Sequence, residues 1–287
     1  MKYIELVRLN NWVKNLFIFI PLFFSSELFN SEKFTNTLIV FLGFCFVASF
    51  VYIINDVLDL EFDKNHSDKK KRPIVSKQIS IKRALIIAAI LLLTGVFIIG
   101  KLNMNVLYLS LFYVILNIMY SFKLKHFPII DFFIISVGFV IRILMGGEIG
   151  EIILSKWIIL MVFLLSLFIA VSKRRDDVFQ YEEKDQLNRL VVEKYSLVFM
   201  DKIITIISSV LIVSYLLFVT SEEVMLRYKS DNLIFTFIFV LLGIFRYNQL
   251  TYVYRNTGSP LKIFFKDRFL QTVIFLWFFI FFYILYF

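Results

Sequence analysis

NTLIVFLGFCFVASFVYIINDVLDLEFD, residues 36–63, joins two kinds of chemistry with no turn signal between them. Positions 36–54 carry no charged side chain. As an α-helix rising about 1.5 Å per residue they are long enough to cross a hydrocarbon layer about 30 Å thick. Asn55, Asp56, Asp59 and Asp63 follow at once. If the helix continues, Asp56, Asp59 and Asp63 stand at i, i+3 and i+7 and share one face. Carboxylates so placed repel one another unless a cation lies among them. Mg²⁺ suits hard oxygen donors and usually completes its shell with water and substrate phosphates, so a diphosphate is the natural companion. The alternative is a solvated helix end whose acids are balanced by Lys64, Lys69, Lys70, Lys71 and Arg72.

The rest of the chain repeats the apolar half of this pattern. Of 287 residues, 60% are hydrophobic and 18% aromatic, and the mean hydropathy is +0.81. A water-soluble core cannot absorb that surface. Apolar blocks at 13–29, 36–54, 83–100, 104–121, 128–145, 156–172, 203–221, 232–249 and 269–286 predict nine transmembrane helices, the first interrupted at Pro21. The expected fold is an all-α membrane bundle with a cytoplasmic active-site cap, residues 1–287 forming one domain. The N-terminus has no cleavage signal and reads as mature protein. Cys45, alone, excludes an intrachain disulfide.

Lys and Arg fall unevenly. With the N-terminus inside, about 25 of the 31 lie on the cytoplasmic face, which predicts a cytoplasmic N-terminus and an extracytoplasmic C-terminus in the cell membrane. Two loops on that face, 55–82 and 173–202, are too long and too charged to be mere connectors. The second opens Lys173, Arg174, Arg175, Asp176, Asp177. On a helix Lys173 and Asp177 share a face, either as a substrate edge or as a topology anchor with local ion pairs. The excess positive charge meets headgroups and phosphates, and no nucleic-acid partner is expected.

Other candidates lie at or inside the bilayer. Lys14 and Asn15, just after Trp12, stand where the first span begins, and Lys14 can snorkel to headgroups or meet a lipid phosphate. Arg142 lies well inside the fifth block, where a charge needs a partner such as substrate or backbone carbonyls. Arg72, held extended by Pro73, suits a phosphate clamp. Tyr120, Lys125 and Asp131 border the next cytoplasmic turn. His66 and His126 have no second ligand at metal spacing, which argues against zinc.

These motifs together resemble the UbiA-type prenyltransferase superfamily, in which NDxxDxxxD follows the second of nine helices; Asn55, Asp56, Asp59 and Asp63 match it. The resemblance is closer to the decaprenyl-phosphate phosphoribosyltransferase branch. It rests on WVKN (12–15), NDVLDLEFD, KRPI, YSFKLK, GFVIRILMGG, SKRRDD and GSPLKIFFKDRFLQ (258–271). Where that branch has KRxxE, Lys173 and Arg174 match and Asp177 replaces the Glu, keeping the charge and shortening the reach. The resemblance implies Mg²⁺-dependent transfer of a 5-phosphoribosyl group from 5-phosphoribosyl 1-diphosphate to a polyprenyl phosphate, in cell-envelope precursor synthesis. Asn55, Asp56, Asp59 and Asp63 would be catalytic, the three Asp as metal ligands. Lys14, Asn15, Arg72, Tyr120, Lys125, Arg142, Lys173, Arg174 and Asp177 would bind substrate.

Two other classes remain at this point. Prenyl transfer from an isoprenoid diphosphate uses the same metal logic, although the KRRDD edge offers cations where a second metal would want carboxylates. A transporter also accommodates intramembrane charge, but no internal repeat supports one. Self-association is left open.

Overall fold

The computed structural model describes residues 2–64, 69–184, 190–254 and 260–287, and every regular element among them is helical. His66, Gly258 and Ser259 lie outside the described residues. The chain divides into two compact units, Met1–Ser155 and Lys156–Phe287.

The first unit contains α1 (Ser31–Leu58), α2 (Ile81–Leu102), α3 (Met104–Phe122) and α4 (Ile130–Ile149). Polar residues set their ends. Asn30 accepts from the Lys33 amide at 3.2 Å to start α1, and Ser80 does the same for Arg83 at the start of α2. Asn103 closes α2 through its amide on Ile99 and opens α3 by accepting from the Val106 amide at 3.0 Å. One residue thus makes a tight helical hairpin. α1 packs most extensively on α2, and glycine permits it: a Cβ on Gly95 would lie 2.6 Å from the Gly43 carbonyl oxygen. Small residues at such a crossing let backbones approach where lipid supplies no hydrophobic drive. Val40, Phe44, Val47, Val51, Tyr113, Ile141 and Met145 fill the core beneath. Ile90, Leu93 and Phe97 on the far side of α2 are each more than half exposed, an outer surface made for lipid.

The second unit contains α5 (Lys156–Lys184), α6 (Leu197–Val219), α7 (Phe237–Tyr252), preceded by a 3₁₀ turn Asn232–Thr236, and α8 (Arg268–Tyr286). The Tyr215 hydroxyl lies 2.7 Å from Thr236 Oγ1 and accepts from Trp277 Nε1 at 2.8 Å, so α6, the 3₁₀ turn and α8 share one buried polar node. Asp267 caps α8 by accepting from the Leu270 amide at 2.8 Å and pairs with Arg246 at 2.6 Å.

Among the described residues eight helices, counting the 3₁₀ turn with α7, are long and apolar enough to cross a membrane, and each falls on an expected span. The span expected at 13–29 differs. Leu9–Phe19 winds as a 3₁₀ helix and Ile20–Phe24 as a short α-helix with Pro21 in its first turn, where a missing N–H costs nothing. At three residues per turn, side chains three apart form a column. Trp12, Asn15, Ile18 and Pro21 make that column. Trp12 Nε1 donates to Ser49 Oγ at 3.1 Å, and Asn15, Ile18 and Pro21 are buried. Packing against α4 sets the geometry: a Cβ on Gly146 would stand 1.9 Å from the Ile18 carbonyl oxygen, so only glycine admits the 3₁₀ backbone there.

Candidate active site

The acidic motif does not continue as one uninterrupted helix. α1 stops at Leu58, Asp59 caps it with φ −90° and ψ 6°, and a short helix, Leu60–Lys64, follows. Helical backbone bonds still flank the break, from the Asp59 amide to the Asn55 carbonyl at 2.9 Å and from the Asp63 amide to the Asp59 carbonyl at 2.8 Å. Asp56 and Asp63 are buried and converge on one atom, Arg72 Nη1, which donates to Asp56 Oδ1 at 2.9 Å and also to Asp63 Oδ2. Asp59 turns away to pair with Lys125, which follows α3. Asn55 holds that arrangement: its Nδ2 donates to Asp59 Oδ2 at 3.0 Å, and its Oδ1 accepts from Ser121 on α3 at 3.0 Å. Tyr120 precedes that serine and is half-buried. Among the described residues no three acidic, His or Cys side chains are disposed around a single metal position. Of the three acids expected on one face, Asp56 and Asp63 share one cation, Arg72, and Asp59 takes another, Lys125.

Arg72, expected to clamp phosphate, here clamps carboxylates. Burial and the nearby Arg8 charge push its guanidinium below the usual arginine range, against the pull of Asp56, Asp63 and Asp59. Lys69 stands 3.4 Å from Asp63 Oδ1. Arg8 was not singled out by the sequence reading, which counted it only as topology charge. It pairs with the same Asp56 Oδ1 that Arg72 uses. Its guanidinium lies 5.4 Å from the centroid of Tyr52, and its backbone is left-handed at φ 56° and ψ 51°. The available signal was an Arg between an apolar N-terminal turn and WVKN, at the membrane boundary.

The donor set suits a divalent cation on one structural ground. Two buried carboxylates already bracket a single positive atom, and Asp63 Oδ1 is buried without a hydrogen bond. Such oxygens are hard donors awaiting a compact charge.

Deeper in the same unit Arg142 is satisfied by dipoles and rings alone. Its Nε donates to Asn15 Oδ1 at 2.9 Å, Nη1 to the Gly138 carbonyl at 2.6 Å and Nη2 to the Tyr113 hydroxyl at 3.2 Å. The rings of Phe44, Tyr113 and Phe139 lie 4.9 to 5.4 Å away. Asn15 in turn donates to Cys45 Sγ at 3.1 Å. Asp131, at the far end of α4, is buried in the first turn. Lys14 lies near Arg142 and Arg8 and repels both. No carboxylate lies among these contacts of Arg142.

The remaining candidates belong to the second unit, near the end of α5. Lys173 is exposed and Arg174 buried. Both lie with Asp177 on one continuous helix, so the shared face expected for Lys173 and Asp177 is present, and Arg174 pairs with Asp177 at 2.7 Å. Arg175, also unforeseen, pairs with Asp201 on α6 at 2.6 Å and lies 5.4 Å from the Tyr252 ring centroid.

Residues 16–280 match the UbiA prenyltransferase family. The chain belongs to that family and is a membrane transferase. The transporter reading falls with that assignment. Among relatives, this UbiA protein is 31% identical over 218 residues to the decaprenyl-phosphate phosphoribosyltransferase of Corynebacterium glutamicum, a match covering 75% of this chain and 66% of that one. It is 29% identical over 289 residues to the enzyme of the same name from Mycolicibacterium smegmatis, covering 96% and 89%. In fold it is similar to a UbiA homologue from Archaeoglobus fulgidus bound to DMAPP and Mg²⁺, with a TM-score of 0.73, 18% identity and 99% of both chains covered. The apolar helices and family membership together make it a multi-pass membrane protein.

Proposed function

We propose that this UbiA transferase moves a 5-phosphoribosyl group from 5-phosphoribosyl 1-diphosphate to a polyprenyl phosphate, with Mg²⁺ held by Asp56 and Asp63 and by Asp59 once Lys125 releases it. The observation that carries the reading is the convergence of Asp56 and Asp63 on one cationic nitrogen at the end of a membrane helix, ringed by Arg8, Lys69 and Lys125. The names of the relatives at 29–31% identity favour phosphoribosyl over prenyl transfer.

In this scheme the bond from the ribose anomeric carbon to the diphosphate oxygen breaks, and a new bond forms from that carbon to an oxygen of the lipid phosphate. Bound Mg²⁺ would neutralise charge growing on the departing diphosphate. Arg72 would take phosphate oxygens, Lys125 would pass from Asp59 to the donor, and Asn55 would fix the orientation of that carboxylate. The acceptor phosphate is already anionic near neutral pH, so no strong base is required of the chain. Lys14, Asn15 and Arg142 form the intramembrane substrate contact, with Tyr120 beside the acidic motif. Lys173, Arg174 and Asp177 of the second unit complete the proposed substrate-binding residues.

The proposal takes residues 1–287 as one membrane domain with nine crossings. Leu9–Phe24 supports the ninth. A 3₁₀ helix rises about 2 Å per residue, so this segment extends about 30 Å, the thickness of the hydrocarbon layer. An odd number of crossings puts the termini on opposite sides, and the Lys and Arg bias puts the N-terminus and the acidic site in the cytoplasm.

The test is direct. Purified protein with Mg²⁺, 5-phosphoribosyl 1-diphosphate and a polyprenyl phosphate should release diphosphate and form a new lipid product visible by mass spectrometry. Turnover of an allylic diphosphate with an aromatic acceptor, and none with the phosphoribosyl donor, would replace this reading with prenyl transfer.

A further inference from the structure

The acidic motif is over-supplied with positive charge. Arg8 and Arg72 both donate to one oxygen, Asp56 Oδ1, and repel each other across it. Arg72 also holds Asp63, Lys69 stands near the other Asp63 oxygen, and Lys125 takes Asp59. Among the described residues four cations thus face three carboxylates, and Lys14 adds to the positive field at Arg8. At the same time Asp63 Oδ1 is buried without a hydrogen bond. Arg8 is held in a left-handed backbone conformation that a non-glycine residue rarely adopts, so its position depends on its partners.

A divalent cation arriving alone meets an unfavourable balance. To reach Asp56 and Asp63 it must displace guanidinium groups that then have no anion, in a partly buried place where unpaired charge is costly. The cluster, already one positive charge in excess, would carry three. A diphosphate brings about three negative charges of its own. Arriving with the metal, it cancels the excess and offers each displaced guanidinium a charge-assisted hydrogen bond.

We propose that Arg8 and Arg72 are exchangeable place-holders: they hold Asp56 and Asp63 until the donor arrives, then move to its phosphate oxygens, so that metal and diphosphate bind as a pair. This rests on the reading that the motif faces a diphosphate, and adds Arg8 as a residue of the donor site. The consequence is thermodynamic coupling between the two ligands, each raising affinity for the other by the same factor.

The experiment uses the full chain in lipid nanodiscs and titrates Mn²⁺, read by electron paramagnetic resonance, with and without inorganic diphosphate, correcting for the complex formed in buffer. Wild-type protein should bind Mn²⁺ at least about tenfold more tightly with diphosphate present. Arg8→Gln should bind Mn²⁺ alone several-fold more tightly than wild type and lose part of the enhancement. Arg8→Lys, which keeps the charge, should restore most of it. Equal Mn²⁺ affinity with and without diphosphate in the wild type overturns the proposal, and so does an Arg8→Gln protein that binds Mn²⁺ alone no more tightly. If Arg8→Gln does not fold, the wild-type comparison still decides. No sugar is present in this assay. Coupling without phosphoribosyl transfer would sink only the donor assignment, and phosphoribosyl transfer without coupling would sink only the place-holder role.

Discussion

At the end of α1 the charged side chains find partners far off in sequence: Asp56 meets Arg8 and Arg72, and Asp59 meets Lys125, 66 positions away. At the end of α5 the pairing is closer to home, Arg174 with Asp177 three residues on and Arg175 with Asp201 on the next helix. A local pair forms whenever the helix forms and contributes only about 0.2–0.5 kcal/mol. Long-range pairs that converge on a buried atom must be assembled by the fold, and they break or re-form as a group. The first region is built to exchange partners. The second is built to hold an edge of helix in place, with Lys173 left exposed beside it.

The largest expected effect breaks the first region. Asp56→Asn or Asp59→Asn should lower turnover by about a thousandfold, the scale on which a preorganised electrostatic contact acts. Both proteins should still insert and purify as folded species. Wild-type rates in both would remove the acids from the chemistry.

An intermediate effect comes from the wall of the same unit. Gly146→Ala places a methyl group against the Ile18 carbonyl oxygen, forcing the 3₁₀ segment outward and pulling Asn15 from Arg142. Overpacking of this kind costs about 1–3 kcal/mol. Thermal unfolding in detergent should fall by several degrees, with a raised KM for the lipid acceptor. An unchanged melting curve would mean that the segment does not depend on that close approach.

The smallest effect belongs to the α5 end. Asp177→Glu restores the residue of the resembled motif and lengthens the reach by one methylene, and Arg174 can follow it. Activity should change by less than about threefold, as befits a partly exposed pair. A loss of tenfold or more would show that the shorter acid is tuned to its substrate, and would set this region beside the first in importance.

Much of this was legible in the residues. Block lengths predicted the eight long helices among the described residues, and crowded acids after an uncharged run drew attention to the end of α1, where the structure gathers Arg8, Arg72 and Lys125. Not legible was how the acids divide between cations: Asp56 and Asp63 meet Arg72, and Asp59 meets Lys125, which only the fold brings near. Arg8 escaped notice because a single Arg at a membrane boundary reads as topology charge, and its link to Asp56 spans 48 positions.

The amino-acid order by itself determined the solvent, the spans and the stock of charges, since these depend on composition and on runs no longer than a helix. The tertiary structure decided which cation meets which carboxylate, and the winding of Leu9–Phe19 against Gly146. Both are set by distances between segments remote in sequence: an ion pair weakens as its charges separate, and a backbone close-packs only where its neighbour leaves room.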